Sequence, residues 1–130
     1  MRVPASHPHC LVVEDEALVG MDVEDALSEA GFAVHWVASP EGASAALAAT
    51  QPDVVVLDVV LRARMCTDLV RDIRRRGIPI VVHSGYAASG VPGEFDGVPW
   101  LRKPADMPVL LAAVEAALPR REAHTGAVTA

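Results

Sequence analysis

A chain of 130 residues that is 52% hydrophobic but only 4% aromatic has the length of one domain and must build its core from Val, Leu, Ile and Ala, which excludes disorder throughout. A formal charge of −6 and a pI near 5.2 argue against nucleic acid as a direct partner. Glu14, Asp15 and Asp58 break the longest apolar runs well short of the roughly 18 residues of a membrane span, and MRVPASHPHC lacks the apolar segment of a secretion signal, so the expected address is the cytoplasm.

Beyond a tail at 1–8, short apolar runs alternate with amphipathic stretches, the pattern of a doubly wound α/β fold: a parallel sheet covered by helices on both faces. CLVV (10–13) is the first strand; HPHC at 7–10 lacks the second ligand cluster of a metal site. Val19, Val23, Ala26, Leu27 and Ala30 then share one helical stripe, with Asp22, Asp25 and Glu29 turned away and Gly31 as the stop. AVHWV (33–37) alternates as an edge strand does. Ser39 and Pro40 form a cap and first-turn pair for a second helix with Ala43, Ala46 and Leu47 inward, ended by Gln51-Pro52. DVVVL (53–57) is the third strand, Leu69, Val70 and Ile73 mark a third helix ending at Gly77, and IPIVVH (78–83) is the fourth strand. The next stretch, AASGVPGEFDGVP, carries three glycines and two prolines, so any fourth helix there is short or irregular. VPWL (98–101) is the fifth strand. A last helix presents Met107, Leu110, Leu111, Val114 and Leu118, with Asp106 as cap and Pro119 as stop. One domain over 9–118 is therefore expected, followed by a disordered tail at 119–130. Cys10 and Cys66, far apart and without metal-ligand spacing, read as reduced core residues.

One residue of the run VVVLDVVLR (54–62) needs a reason to be there, because taking an ionised carboxylate out of water costs several kcal/mol. In an open parallel sheet the ligand site lies beyond the carboxyl ends of the strands. At that edge the first strand delivers Glu14 and Asp15, the third Asp58, the fourth Ser84 and the fifth Lys103. Acids so close together repel one another unless a hard divalent cation joins them, magnesium or manganese, with Asp15 and Asp58 as direct ligands and Glu14 one shell out. A carboxylate beside such a cation, a lysine and a hydroxyl is equipped to accept a phosphoryl group: Asp58 as nucleophile, with Lys103 and Ser84 each on a phosphoryl oxygen.

LVVEDE (11–16), VVVLDV (54–59), VVHSGY (81–86) and LRKP (101–104), in this order and at strand ends, make the chain resemble a response-regulator receiver domain of two-component signalling from about Cys10 to Leu118. The resemblance implies a five-stranded sheet ordered 2-1-3-4-5 and phosphorylation of Asp58 by a histidine kinase or a histidine phosphotransfer protein. It also implies a cis Lys103-Pro104 bond, the backbone carbonyl of Val60 as a further cation ligand, and a single-domain regulator acting on a downstream protein partner.

Arg62 stands where receivers commonly have proline, RARMCTD replaces the usual loop, and RGIPIVVHSGY is similar to a subgroup of stand-alone receivers with a Thr-Gly-Tyr-like segment. Trp100, three residues before the lysine, takes the place of the family's switch aromatic, with Ser84 and Tyr86 as its partners. Val60 and Tyr86 flank the acceptor where a hydrolytic water would be positioned; neither side chain suits that, so self-dephosphorylation should be slow. His83 should point into the helix layer, away from Ser84. Arg71, Arg74, Arg75 and Arg76 read as a solvated helix end. Two rivals remain: an aspartyl-nucleophile phosphohydrolase, which would want an acid where Val60 stands, and a receiver-like binding module that works without phosphorylation. EDEA after the first strand excludes a glycine-rich dinucleotide turn.

Overall fold

A strand that is apolar at every position needs cover on both sides. In the computed structural model, which describes residues 7–61, 64–87 and 93–119, the central strands receive it. β1 (His9–Val13), β3 (Val54–Leu57) and β6 (Ile80–Ser84) form the middle of a five-stranded parallel sheet, with β2 (Ala33–Val37) and β7 (Trp100–Arg102) at the edges. The order β2-β1-β3-β6-β7 is the expected 2-1-3-4-5 once β4 (Val60–Leu61) and β5 (Arg64–Met65) are counted apart. Those two pair antiparallel with each other in a small hairpin that the sequence argument did not foresee.

Because successive side chains point to opposite faces, each strand feeds two cores. Leu11, Val13, Val55 and Leu57 pack with Ala43 and Leu47 of α2 (Pro40–Ala49) and Val70 and Ile73 of α3 (Thr67–Arg75). Cys10, Val12, Val54 and Val56 pack with Val23 and Leu27 of α1 (Ala17–Glu29) and Leu110 and Val114 of α4 (Met107–Ala117).

Local chemistry sets the helix ends. Ser39 Oγ accepts the Gly42 N–H at 2.9 Å, with Pro40 in the first turn where its missing N–H costs nothing. Gly31 (φ +100°) and Gly77 (φ +76°) take the left-handed conformation that closes α1 and α3. Three expectations need correction. Ala30 is exposed because α1 ends at Glu29, and buried Gly20 joins the inner face instead. Asp106 holds the N-cap place of α4, but its side chain makes no capping hydrogen bond. The last strand runs Trp100–Arg102, two residues later than its apolar letters start; before it, Pro99 offers only a carbonyl, which accepts the Val82 N–H at 2.8 Å.

Ahead of β7, the described residues hold one 3₁₀ turn, Gly93–Phe95, as the Gly and Pro content requires. Arg62 and residues 88–92 of that connection lie outside the described residues, as do 1–6 and 120–130 of the tails. At the end of α3, Arg71 pairs with Asp68 and Arg76 with Asp72 within the same segment, while Arg74 also reaches the Asp96 carbonyl and Arg76 the Leu47 carbonyl on other segments, so this helix end is more than a solvated one.

Candidate functional site

Four chain segments meet at the carboxyl edge of the sheet. Asp58 leaves β3 with its N–H bonded to the Val13 carbonyl at 3.0 Å, and its Oδ1 accepts the Val60 N–H at 3.1 Å. Lys103 follows β7, held by its own N–H on the Ser84 carbonyl at 2.7 Å; the Lys103-Pro104 bond is cis. The Lys103 ammonium lies 2.8 Å from Glu14 Oε1, 2.8 Å from Glu16 Oε1 and 3.0 Å from Asp58 Oδ2. Glu14 Oε2 accepts the Glu16 N–H at 3.1 Å, which folds the turn after β1 around these two acids.

Asp15 sits half-buried in the same turn and is not one of the three converging carboxylates; its charge, like that of Asp58, reaches the Cys66 thiol. Val60 lies half-buried in β4 opposite Met65. Ser84 is fully buried, and its Oγ accepts the Tyr86 N–H at 3.2 Å. Trp100 Nε1 donates to the Tyr86 carbonyl at 2.7 Å and its ring meets Phe95 edge to face at 5.6 Å, while the Tyr86 side chain is exposed.

Burial pushes the Glu14 carboxyl above the usual carboxylate range; bonds from Lys103 and the Glu16 N–H pull it back only in part. Burial also opposes the Lys103 charge, but its bonds to Glu14, Glu16 and Asp58 outweigh that and hold the ammonium above the ordinary lysine range. Three carboxylates against one ammonium leave two negative charges uncompensated. Their oxygens lie within 4.8 Å of one another and no nitrogen or sulfur ligand among the described residues joins them, so the donor set fits a hard divalent cation such as Mg²⁺.

His83 is buried beside this cluster, on the face of β6 opposite Ser84, and its Nε2 has no hydrogen-bond partner among the described residues. Burial, and then the Lys103 charge, hold its imidazole below the ordinary range against the pull of Asp58 and Glu16. The unfolded chain takes up this proton near pH 6.5 and the folded chain only below that. The contribution of His83 to stability is therefore whole above about pH 6.5 and shrinks as the pH falls. Glu14 acts in the opposite sense, since a raised carboxyl favours the folded state as it protonates. Thermal unfolding between about pH 7.5 and 5.5 should lower the Tm more in the wild type than in His83→Leu, which keeps Glu14. Equal slopes in the two proteins would refute this.

Glu16 was not singled out from the sequence. An exposed acid just ahead of a helix is too common to notice, and only the fold reveals its bond to a lysine 87 positions away.

Residues 10–115 match the family model of the response regulator receiver domain. The chain is 35% identical over 130 residues to the transcriptional regulatory protein CseB of Streptomyces coelicolor, covering 94% of this chain and 53% of that protein. It is 34% identical over 111 residues to the response regulator protein PmrA of Pseudomonas aeruginosa, covering 82% of this chain and 50% of that one. The chain thus spans about half the length of these curated relatives. The chemotaxis response regulator CheY4 of Vibrio cholerae superposes with a TM-score of 0.76 at 24% identity, covering 86% of this chain and 99% of the other, and shares its fold. No helix among the described residues is long and apolar enough to cross a membrane. By its motifs, its sheet order and this match, the chain belongs to the response-regulator receiver domains of two-component signalling.

Proposed function

We propose that residues 9–118 act in the cytoplasm as a phosphoryl-accepting switch. Asp58 takes the group from a histidine kinase or a histidine phosphotransfer protein, and the altered surface is read by a downstream protein partner. The observation that supports this most is the meeting of Glu14, Glu16 and Asp58 on Lys103, brought from three strand ends to within 3.0 Å. Two buried free thiols suit a reducing compartment.

In the reading we favour, a carboxylate oxygen of Asp58 forms a bond to phosphorus as the donor's P–N bond breaks, and the electron pair leaves on the imidazole nitrogen, which ends protonated. Lys103 turns from its carboxylates to a phosphoryl oxygen, and the Ser84 hydroxyl donates its proton in a hydrogen bond to another. Asp58, with Glu14, Asp15 or Glu16 and the Val60 carbonyl, would hold Mg²⁺ or Mn²⁺, which would supply neutralising charge.

The switch follows from two bonds. Ser84 Oγ holds the Tyr86 N–H and the Tyr86 carbonyl holds Trp100 Nε1–H, so a Ser84 drawn towards phosphate pulls on the residue to which Trp100 is tied. Exposed Tyr86 carries that shift to the surface.

Incubation of the full chain with acetyl phosphate and Mg²⁺, followed by mass spectrometry, should place a single phosphoryl group on Asp58. After the reagent is removed the label should decay slowly, because apolar Val60 and bulky Tyr86 are poorly suited to align a water. Absence of uptake would favour the phosphorylation-independent module, and sustained turnover of phosphate esters the phosphohydrolase. Loss of label within seconds would defeat the slow-decay expectation alone.

A further inference from the structure

The turn that carries Glu14 and Glu16 is braced from one side by a residue outside the phosphoryl chemistry. Both backbone groups of Glu14 are taken by β2: its N–H donates to the Val37 carbonyl at 3.0 Å, and its carbonyl accepts the Trp36 Nε1–H at 2.9 Å. The same indole packs against Gly20, which is buried; a Cβ at that position would overlap the ring at Cζ2, Cε2 and Nε1. Gly20 in turn donates its N–H to the Glu16 carbonyl at 2.9 Å, closing the first turn of α1. A single side chain therefore touches the acid turn at both ends, by a hydrogen bond at Glu14 and by van der Waals contact one helical turn beyond Glu16. Tryptophan suits this place because it joins a large apolar plate to one N–H donor; phenylalanine has the plate without the donor.

We infer that Trp36 is a positioning residue for the cation site, setting through the Glu14 carbonyl and Gly20 where the carboxylates of Glu14 and Glu16 stand relative to Asp58. The inference rests on the reading of these acids as a divalent-cation site. Without the indole N–H, the carbonyl of buried Glu14 loses its donor, and the turn gains freedom that a bound cation must remove again. Gly20→Ala acts on the same contact from the other side by pushing the indole off its seat.

The test is Mg²⁺ binding, measured by calorimetry on the whole chain together with thermal unfolding, for wild type, Trp36→Phe, Gly20→Ala and the double variant. Each single change should weaken Mg²⁺ binding about fivefold, the equivalent of one hydrogen bond of about 1 kcal/mol. The double variant should be little weaker than either single, because both break one contact. At saturating Mg²⁺ the rate of labelling by acetyl phosphate should return to the wild-type value in Trp36→Phe, placing the defect in binding. A lower Tm with unchanged Mg²⁺ affinity would reduce Trp36 to a packing role and overturn the inference while leaving the phosphoryl-acceptor reading intact. A wild type that binds no Mg²⁺ would overturn both. Should Trp36→Phe fail to fold, Trp100→Phe decides the matter: Trp36 is then the only tryptophan left of the two, and its emission should shift as Mg²⁺ is added. An unresponsive emission counts against the inference.

Discussion

In the Asp58→Asn protein, phosphoryl incorporation from acetyl phosphate is expected to fall to background, by about 10³-fold or more, the scale of loss when a nucleophile is removed. The amide keeps the shape of the carboxylate and an oxygen for the Val60 N–H, so the loop after β3 should hold its course. What it lacks is an anionic oxygen that can bond to phosphorus. Two electrostatic changes oppose each other in the resting protein: Lys103 loses one of three acidic partners, while Glu14 and Glu16 lose a repelling neighbour. The Tm should therefore move by only a few degrees, separating a chemical loss from an unfolded chain. Label that persists in Asp58→Asn would mean that another carboxylate, Glu14 or Glu16, is the acceptor.

Lys103→Met should produce the largest loss of stability among changes at the site. The substitution keeps the aliphatic stem and removes the one cation on which three carboxylates converge. Glu14 is 3% exposed and Asp58 8%, so both are left as buried charges without their partner; Glu16, at 63%, contributes little. Orphaning a buried charge of this kind costs about 3 kcal/mol, or a Tm lower by roughly 10 °C for a chain of this length. Because the deficit is one of positive charge, Mg²⁺ should raise the Tm of Lys103→Met more than that of the wild type, while phosphoryl uptake stays impaired. A variant as stable as the wild type in chelator would show that the acids do not depend on this lysine.

The parallel sheet was legible because its central strands are unbroken apolar runs, and unbroken runs are what burial on both faces selects. Ser39-Pro40, Gly31 and Gly77 were legible because each answers a local backbone need that few other residues meet. Asp58 could be singled out as a charge where none was expected. The residues that escaped notice share one property: their meaning is non-local. Glu16 looks like any acid at the start of a helix until Lys103, just after β7, comes beside it, and Trp36 like any edge-strand aromatic until α1 sets Gly20 against it. The β4–β5 hairpin escaped for a different reason, since strands of two residues are too short for any periodicity to register. The N-cap of α4 misled because Asp106 is a preferred capping type whose side chain makes no such bond here.

Burial of the two thiols has a further consequence. The Cys10 thiol, 1% exposed in β1, is pushed up to about 12, and burial raises Cys66 at the start of α3 as well, so an alkylating reagent that needs a thiolate meets neither in the closed molecule. Modification must wait for the polypeptide to open: at Cys10 for the sheet itself to come apart, at Cys66 for no more than the segment around it. The chain thus carries two internal clocks, and the ratio of their rates separates breathing of the acceptor loop from collapse of the whole.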